Sequence, residues 1–148
     1  MNTGKCFWIT GLPGAGKTTF ANKLITQLAI KGIRIVRLDG DELREIFGKL
    51  GKAYDSESRR QLAFTYAKFC NMLLKQDFSV VCATVSMFDD VRSWNKENIP
   101  GYVEIFLDPP ESILKARDQK GLYSNNSDQL PGYSQHAELP KSPHYNVK

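Results

Sequence analysis

The chain reads Gly11-Leu12-Pro13-Gly14-Ala15-Gly16-Lys17-Thr18-Thr19 early in its sequence. From Gly11 to Thr18 it has the P-loop spacing G-x-x-x-x-G-K-[ST], with an apolar run before it and a helical pattern after it. Glycines permit positive φ and a close approach of the backbone, so successive N–H groups can point at phosphate oxygens where the next helix begins. We expect Lys17 to reach the β- and γ-phosphates and the Thr18 hydroxyl to bind the accompanying Mg²⁺. The stretch predicts a triphosphate site; the alternative is a glycine-rich turn without a ligand.

Short apolar runs alternate with helical patterns along the rest of the chain. The apolar runs predict strands over residues 6–10, 33–38, 78–83 and 102–107. Apolar residues at helical spacing, with stop signals at the ends, predict helices over residues 17–31, 42–48, 56–76, 89–98 and 111–119. Strands and helices of these lengths in alternation indicate parallel β-α units with right-handed crossovers. The sequence therefore predicts an α/β fold with a mainly parallel sheet flanked by helices.

Composition indicates one domain over residues 1–148, a length at which a domain buries about 68–70% of its unfolded surface. No apolar run approaches the ~18 residues of a membrane span, and the first residues lack an export signal, so we expect a cytoplasmic protein without a membrane partner. The residues behind the net charge of +4 are scattered, so no nucleic-acid partner is expected.

The cysteines are three in number and lie in apolar stretches without C-x-x-C spacing. An odd count and this placement favour buried thiols over a disulfide, a zinc site or a nucleophile. We therefore expect Cys6, Cys70 and Cys82 to be core residues.

Two carboxylates follow the second predicted strand, in the stretch Asp39-Gly40-Asp41. The carboxyl ends of strands are where open α/β sheets bind ligands. We expect Asp41 to accept the proton of an attacking hydroxyl and Asp39 to hold Mg²⁺ through water. The alternative is that Asp41 only caps the helix predicted over residues 42–48. Arg44 lies one turn further along that helix.

Later stretches add weaker signals. Tyr54 stands in a loop, either as a platform for a base or as plain loop packing. At least one of Arg59 and Arg60 is expected on a solvated face. Inside the helix over residues 56–76 we expect an inward face made by Leu62, Tyr66, Phe69, Leu73 and Leu74.

The part from about residue 120 to 148 is polar and poor in aliphatic residues, which predicts a mobile lid and a meandering tail. The alternative is a disordered end without function, at least over the last ten residues. His136 and His144 lie in this part, and we expect neither to take part in the chemistry.

With these residues in view, the chain resembles the adenylylsulfate kinase family over nearly its whole length. The resemblance is carried by the P-loop, by Leu38-Asp39-Gly40-Asp41 with Arg44, by Tyr54 through Arg59-Arg60, and by Arg117-Asp118-Gln119-Lys120-Gly121-Leu122-Tyr123. It implies a three-layer P-loop kinase fold and phosphorylation of the ribose 3′-hydroxyl of a second nucleotide by ATP with Mg²⁺. It also implies that Asp41 is the base and that Asp39 supports the metal.

The same resemblance implies two sets of binding residues. Arg44 and Arg59 would hold the phosphate side of the acceptor, and Tyr54 stands where the family usually has a base-stacking Phe. Ser86 and Leu122 would complete the acceptor site. Arg117 and Lys120 would belong to the ATP side and the lid, with Lys120 also near the acceptor. The family is often dimeric, so the resemblance also implies a homodimer.

Departures from the family pattern lie on the acceptor and lid sides. Where the family typically reads Ile-Ser-Pro this chain has Val85-Ser86-Met87-Phe88, and Leu62 stands where an Asn is usual; the lid after Tyr123 is shortened. The sequences Ala83–Ser86 and Asp41–Glu45 resemble those of a branch of the family that is associated with capsule sugar modification and whose acceptor is cytidine diphosphoramidate. The acceptor could be either adenylylsulfate or this compound. Two other functions are also alternatives: a kinase for a small non-nucleotide hydroxyl, and a non-catalytic ATP-binding regulatory protein.

Overall fold

The computed structural model describes residues 4–117 and 137–148, and a parallel sheet of five strands runs through this part of the chain. In chain order the elements are β1 (Cys6–Thr10), α1 (Lys17–Ile30), β2 (Ile35–Asp39), α2 (Gly40–Ile46), α3 (Ser56–Leu74), β3 (Ser79–Thr84), α4 (Asp89–Asn98), β4 (Tyr102–Leu107), α5 (Glu111–Ala116) and β5 (Tyr145–Val147). A 3-10 turn over Leu50–Lys52 lies between α2 and α3. The strand order is β2-β3-β1-β4-β5.

Side chains of β1 alternate between two cores, because successive residues of a strand point to opposite faces of the sheet. Trp8 packs on the side of α3 and α4, in a core that includes Leu62. Ile9 packs on the opposite side with α1 and α5, in a core that includes Leu114. β3 is buried at every position, as expected of an inner strand of a parallel sheet. Helices cover both faces, which confirms the predicted three-layer α/β fold.

The predicted ranges of β1, α4 and β4 match the structure. The prediction for α2 started two residues late, because the Asp39 carboxylate accepts a hydrogen bond from the Asp41 N–H at 3.0 Å and so caps a helix that begins at Gly40. Helix α3 ends at Leu74 rather than 76, and the turn after it is closed by Asp77 in the left-handed region with φ of 66°. Helix α5 ends at Ala116, earlier than the predicted residue 119.

The end of the chain contains a strand that the sequence did not predict. Residues 137–148 were expected to belong to a lid and a tail without regular structure, but Tyr145–Val147 form β5, which pairs in parallel with β4. His144 Nδ1 also accepts a hydrogen bond from the Glu104 N–H at 2.9 Å. β5 has only three residues and all are exposed, so its sequence pattern is too short to predict a strand, and its place is set by pairing with the edge of β4.

The three cysteines are free and buried, as predicted. Contact with the Cys70 thiol, followed by burial, raises the pKa of the thiols of Cys6 and Cys82. Among the helices of the described ranges, we find none with the length and apolar character that a membrane crossing needs.

Candidate active site

A cleft lies at the carboxyl ends of β1, β2 and β3, which is where a sheet of this type binds ligands. Its cavity volume is about 1180 Å³. Sites for a single small ligand usually enclose about 300–1,000 Å³, so this cleft is large for one ligand. The P-loop forms one wall; α2, α3 and the stretch after β3 form the other.

The P-loop has the backbone that its glycines predict. Gly14 and Gly16 have φ values of 85° and 94°, and a Cβ on Gly11 would lie 2.9 Å from the Leu107 carbonyl oxygen. Lys17 Nζ donates to the carbonyl oxygens of Gly11 at 2.9 Å and Leu12 at 3.1 Å, so the loop curves around the ammonium group. Of the predicted triphosphate residues Gly11 to Thr19, seven line the cleft: Pro13, Gly14, Ala15, Gly16, Lys17, Thr18 and Thr19. Gly11 and Leu12 do not line it, and their carbonyl oxygens accept from Lys17.

The two residues predicted to hold Mg²⁺ are in direct contact. Thr18 Oγ1 donates to Asp39 Oδ2 at 3.1 Å, while Asp39 Oδ1 caps α2 through the Asp41 N–H. A hydroxyl oxygen and a carboxylate oxygen at this spacing suit a hard cation that prefers oxygen ligands. The alternative that Asp41 caps the helix is wrong, because Asp39 has that role. Asp41 instead lies in the first turn of α2 and lines the cleft.

The acceptor side begins with Arg44 and Tyr54. Arg44 Nη1 donates to the carbonyl oxygens of Gly51 at 2.7 Å and Ala53 at 3.3 Å. The Arg44 guanidinium carbon lies 4.4 Å from the centroid of the Tyr54 ring, a cation–π contact. Tyr54 is 44% exposed, so much of its side chain is not covered by loop packing. Both residues line the cleft, and their roles in binding stay predictions.

The two arginines that open α3 diverge. Arg60 points out of the cleft, where its Nε donates to Asp90 Oδ2 at 2.5 Å. Arg59 lines the cleft, and its Nε is buried without a hydrogen-bond partner among the described residues. Burial, followed by the neighbouring Arg44 cation, lowers the pKa of Arg59. The expectation that at least one of the two arginines lies on an exposed face is confirmed for Arg60.

The stretch after β3 closes the far wall. Ser86 has a positive φ of 35°, and its Oγ lies 2.6 Å from Thr84 Oγ1. Thr10 Oγ1 donates to the Val85 carbonyl oxygen at 2.5 Å, which ties this wall to β1. Ser86 therefore lies in the cleft, as predicted, with its hydroxyl in a pair that the sequence did not indicate.

At the ATP end, Arg117 lies beside the P-loop. Its Nη1 donates to the Gly14 carbonyl oxygen at 3.4 Å, and the side chain lines the cleft. Lys120 and Leu122 lie outside the described residues, as does the rest of the stretch from residue 118 to 123.

Leu62 and Tyr66 line the cleft, although Tyr66 was expected only on the inward face of its helix and Leu62 was expected on the acceptor side only as a departure from the family pattern. Met87 and Phe88, also departures from that pattern, line the cleft on the acceptor side as expected. For Leu62 and Tyr66 a signal existed. Leu62 and Tyr66 follow Arg59 by three and seven residues, a spacing that puts all three on one face of a helix.

Comparisons with known proteins agree with this geometry. The family model described as adenylylsulphate kinase matches residues 3–148. The cytidine diphosphoramidate kinase of Campylobacter jejuni is 41% identical over 123 residues, which are 83% of this chain and 71% of that protein. The adenylyl-sulfate kinase of Deinococcus deserti is 33% identical over 155 residues, covering 100% of this chain and 83% of that protein.

A solved structure has the same fold. The Mycobacterium tuberculosis APS kinase CysC, in complex with AMPPNP and APS, superposes with a TM-score of 0.86 at 27% identity, over 97% of this chain and 87% of that one. Kinase names among the relatives favour an ATP-using nucleotide kinase over the small-hydroxyl kinase and the non-catalytic regulator. With a family model that spans almost every residue, the chain belongs to the adenylylsulphate kinase family.

Proposed function

We propose that the protein transfers the γ-phosphoryl group of ATP to the ribose 3′-hydroxyl of cytidine 5′-diphosphoramidate. The residues of the acceptor half of the cleft support cytidine 5′-diphosphoramidate as the acceptor. This half presents Leu62 and Met87, both at most 3% exposed, where the resemblance leads one to expect Asn and Pro. The 41% identity to a cytidine diphosphoramidate kinase supports the same acceptor.

On the ATP side, the P-loop N–H groups and Lys17 hold the phosphates, and Arg117 lies beside the loop. Thr18 and Asp39 are the residues that would hold Mg²⁺, whose charge neutralises phosphate oxygens when it is bound. Phosphoryl transfer passes through a loose transition state, so fixed cations and aligned oxygens do most of the catalysis.

On the acceptor side, Arg44 and Arg59 bind the phosphate groups and Tyr54 stacks on the base. The 3′-oxygen attacks the γ-phosphorus while the bond from that phosphorus to the β–γ bridging oxygen breaks, and ADP leaves. Asp41 accepts the proton of the 3′-hydroxyl. Its place in the first turn of α2, two residues from Asp39, puts the base next to the metal-holding pair.

The test is ATP consumption by the purified protein with Mg²⁺, against cytidine diphosphoramidate and adenylylsulfate in parallel, with the phosphorylated position read by phosphorus NMR. We expect turnover of the cytidylyl compound at the 3′ position. Turnover of adenylylsulfate alone would overturn the choice of acceptor. Absence of turnover with both compounds would overturn the proposed function.

Asp41→Asn tests the base. We expect at least about a 100-fold fall in kcat, because a positioned general base contributes roughly 10²–10⁴-fold, with ATP affinity retained. Glu42→Gln is the matched control at the next position. The Glu42 side chain is exposed and pairs with Arg37 at 2.6 Å, so this variant should keep its activity. Full activity in Asp41→Asn would contradict the assignment of the base.

A further inference from the structure

Tyr66 has a buried hydroxyl for which the described part of the chain offers no hydrogen-bond partner. The residue is 3% exposed and lines the cleft from α3. No hydrogen bond reaches its hydroxyl within residues 4–117 and 137–148. Tyr102, the second tyrosine that is buried in the described ranges, has a partner, because its hydroxyl donates to Glu104 Oε1 at 2.7 Å. Buried polar groups in folded proteins are nearly always paired, so an orphaned hydroxyl at a cleft calls for a ligand atom.

The Tyr66 ring is held in place and its hydroxyl is a donor. Phe47 stacks on the ring with centroids 6.4 Å apart and planes 17° from parallel. Burial raises the pKa of Tyr66 to about 12, an effect that Arg44 partly opposes and Asp41 reinforces. The hydroxyl is therefore protonated at neutral pH. Of the groups that shift this pKa, Arg44, Asp41 and Tyr54 line the cleft, whereas Cys82 lies in the core.

The floor around Tyr66 suits a heteroaromatic base better than a phosphate. Leu62 lies one turn before it on α3 and is 1% exposed, so the same helix face offers the cleft an apolar side chain beside the Tyr66 hydroxyl. A diphosphate would need cations, and Arg59, two turns before Tyr66 on α3, and Arg44 on α2 are the cations that line the acceptor side. A pyrimidine presents apolar faces together with acceptor atoms at its ring edge, which matches an apolar side chain beside a hydroxyl donor.

We infer that the Tyr66 hydroxyl donates a hydrogen bond to a ring-edge acceptor atom of the acceptor's base and so helps to select that base. The inference rests on the proposed function, in which the acceptor is a cytidine nucleotide. It assigns Tyr66 a role in specificity in addition to its place in the core. Since a site built to bond a ligand atom rejects analogues that leave the group unpaired, one hydroxyl can contribute strongly to selectivity.

Tyr66→Phe is the test, because it removes the hydroxyl and keeps the ring that packs on Phe47. Calorimetric titration with cytidine 5′-diphosphate is done with the P-loop saturated by AMPPNP, so that only the acceptor half is read. We expect Kd to rise about tenfold in the variant, in line with the loss of one hydrogen bond in a dry site. With cytidine diphosphoramidate as substrate, KM should rise by a similar factor while KM for ATP is unchanged.

A melting curve separates this role from a structural one. Tyr66→Phe should melt no lower than the wild type, because the hydroxyl it removes has no partner among residues 4–117 and 137–148. Tyr102→Phe is the matched control: it removes a bonded hydroxyl away from the cleft, so it should lower Tm and leave both KM values unchanged.

The outcomes are distinguishable from failure of the proposed function. Equal cytidine 5′-diphosphate affinity in the wild type and in Tyr66→Phe would overturn the inference, as would absence of binding to the wild type. If the wild type turns over neither acceptor, the proposed reaction is refuted. If Tyr66→Phe nevertheless binds cytidine 5′-diphosphate more weakly than the wild type does, the inference is still supported.

Discussion

At the scale of single residues, Gly51 connects the backbone to the acceptor site. A Cβ at this position would lie 1.8 Å from the Arg44 carbonyl oxygen, so no side chain fits without moving α2 or the 3-10 turn. The Gly51 carbonyl oxygen in turn accepts the 2.7 Å hydrogen bond from Arg44 Nη1. The missing side chain at residue 51 therefore helps to set the position of an arginine in the cleft.

Gly51→Ala should destabilise the protein by about 3 kcal/mol or more, since it forces backbone apart in a packed turn. Gly48→Ala is the control: Gly48 has a φ of 62° with open space around it, so alanine there has only the cost of a left-handed backbone, about 1–2 kcal/mol. Chemical unfolding measures both values. We also expect a higher acceptor KM in Gly51→Ala alone, and equal stability of the two variants would contradict this account.

At the scale of elements, α3 supplies the cleft with Arg59, Leu62 and Tyr66, so the start of this helix matters to the site. Asp55 caps it, with Asp55 Oδ2 accepting from the Ser58 N–H at 3.0 Å. Hydrogen bonding to Ser58 lowers the pKa of the Asp55 carboxyl. Because the folded protein favours the ionised form of this carboxyl, ionisation stabilises the protein at pH values above the pKa of the unfolded state. That stabilisation is lost as the pH falls through the pKa of the folded state.

Asp55→Asn isolates this charge, because asparagine is an equally good helix cap that does not titrate near pH 4. We expect the wild type to melt above the variant at pH 7 and the difference to shrink as the pH falls below about 3.9, the ordinary pKa of aspartate. Melting curves from pH 7 to about pH 2.5 measure it. A difference in Tm that stays constant over that range would argue against the charge as its source.

At the scale of the whole molecule, the end of the chain is held against the cleft by Arg92 of α4, which is 3% exposed. Arg92 Nη2 donates to Asp89 Oδ1 at 2.6 Å and also to the Glu138 carbonyl oxygen. The Glu138 N–H donates to the Met87 carbonyl oxygen at 3.0 Å. These contacts join residues far apart in sequence and place Ala137 on the wall of the cleft.

Arg92→Met should cost about 1–3 kcal/mol, because it removes bonds from a buried charged donor while keeping most of the side-chain volume. We expect faster hydrogen exchange at the amides of Tyr145–Val147, whose strand is attached to the sheet by a single neighbour. Lys141→Ala is the control. The Lys141 side chain is 84% exposed, and its Nζ makes a long ion pair of 3.8 Å with Asp89 Oδ2. Such exposed pairs contribute little, so the loss of Lys141 should change stability by less than about 0.5 kcal/mol. Unchanged exchange in Arg92→Met would show that the end of the chain docks without this arginine.

The sequence alone determined the features that depend on local chemistry. The P-loop glycines, the four strands β1 to β4 and the positions of Asp39 and Asp41 at the end of β2 all follow from periodicity and turn residues within short windows. Even the early start of α2 is local in origin, since it depends on a cap two residues before Asp41. Such features are predictable because the groups that stabilise them are neighbours in the chain.

Only the tertiary structure decided the features that depend on distant partners. The exposed strand β5 exists because β4 offers it an edge, and Arg59 and Arg60 diverge because Asp90, far along the chain, holds only the second of them. Tyr66 has a core pattern in the sequence, and its orphaned hydroxyl becomes visible only where α3 meets the cleft. Periodicity says which face of a helix is buried, whereas the partner that each buried polar atom finds is set by the packing of the whole chain.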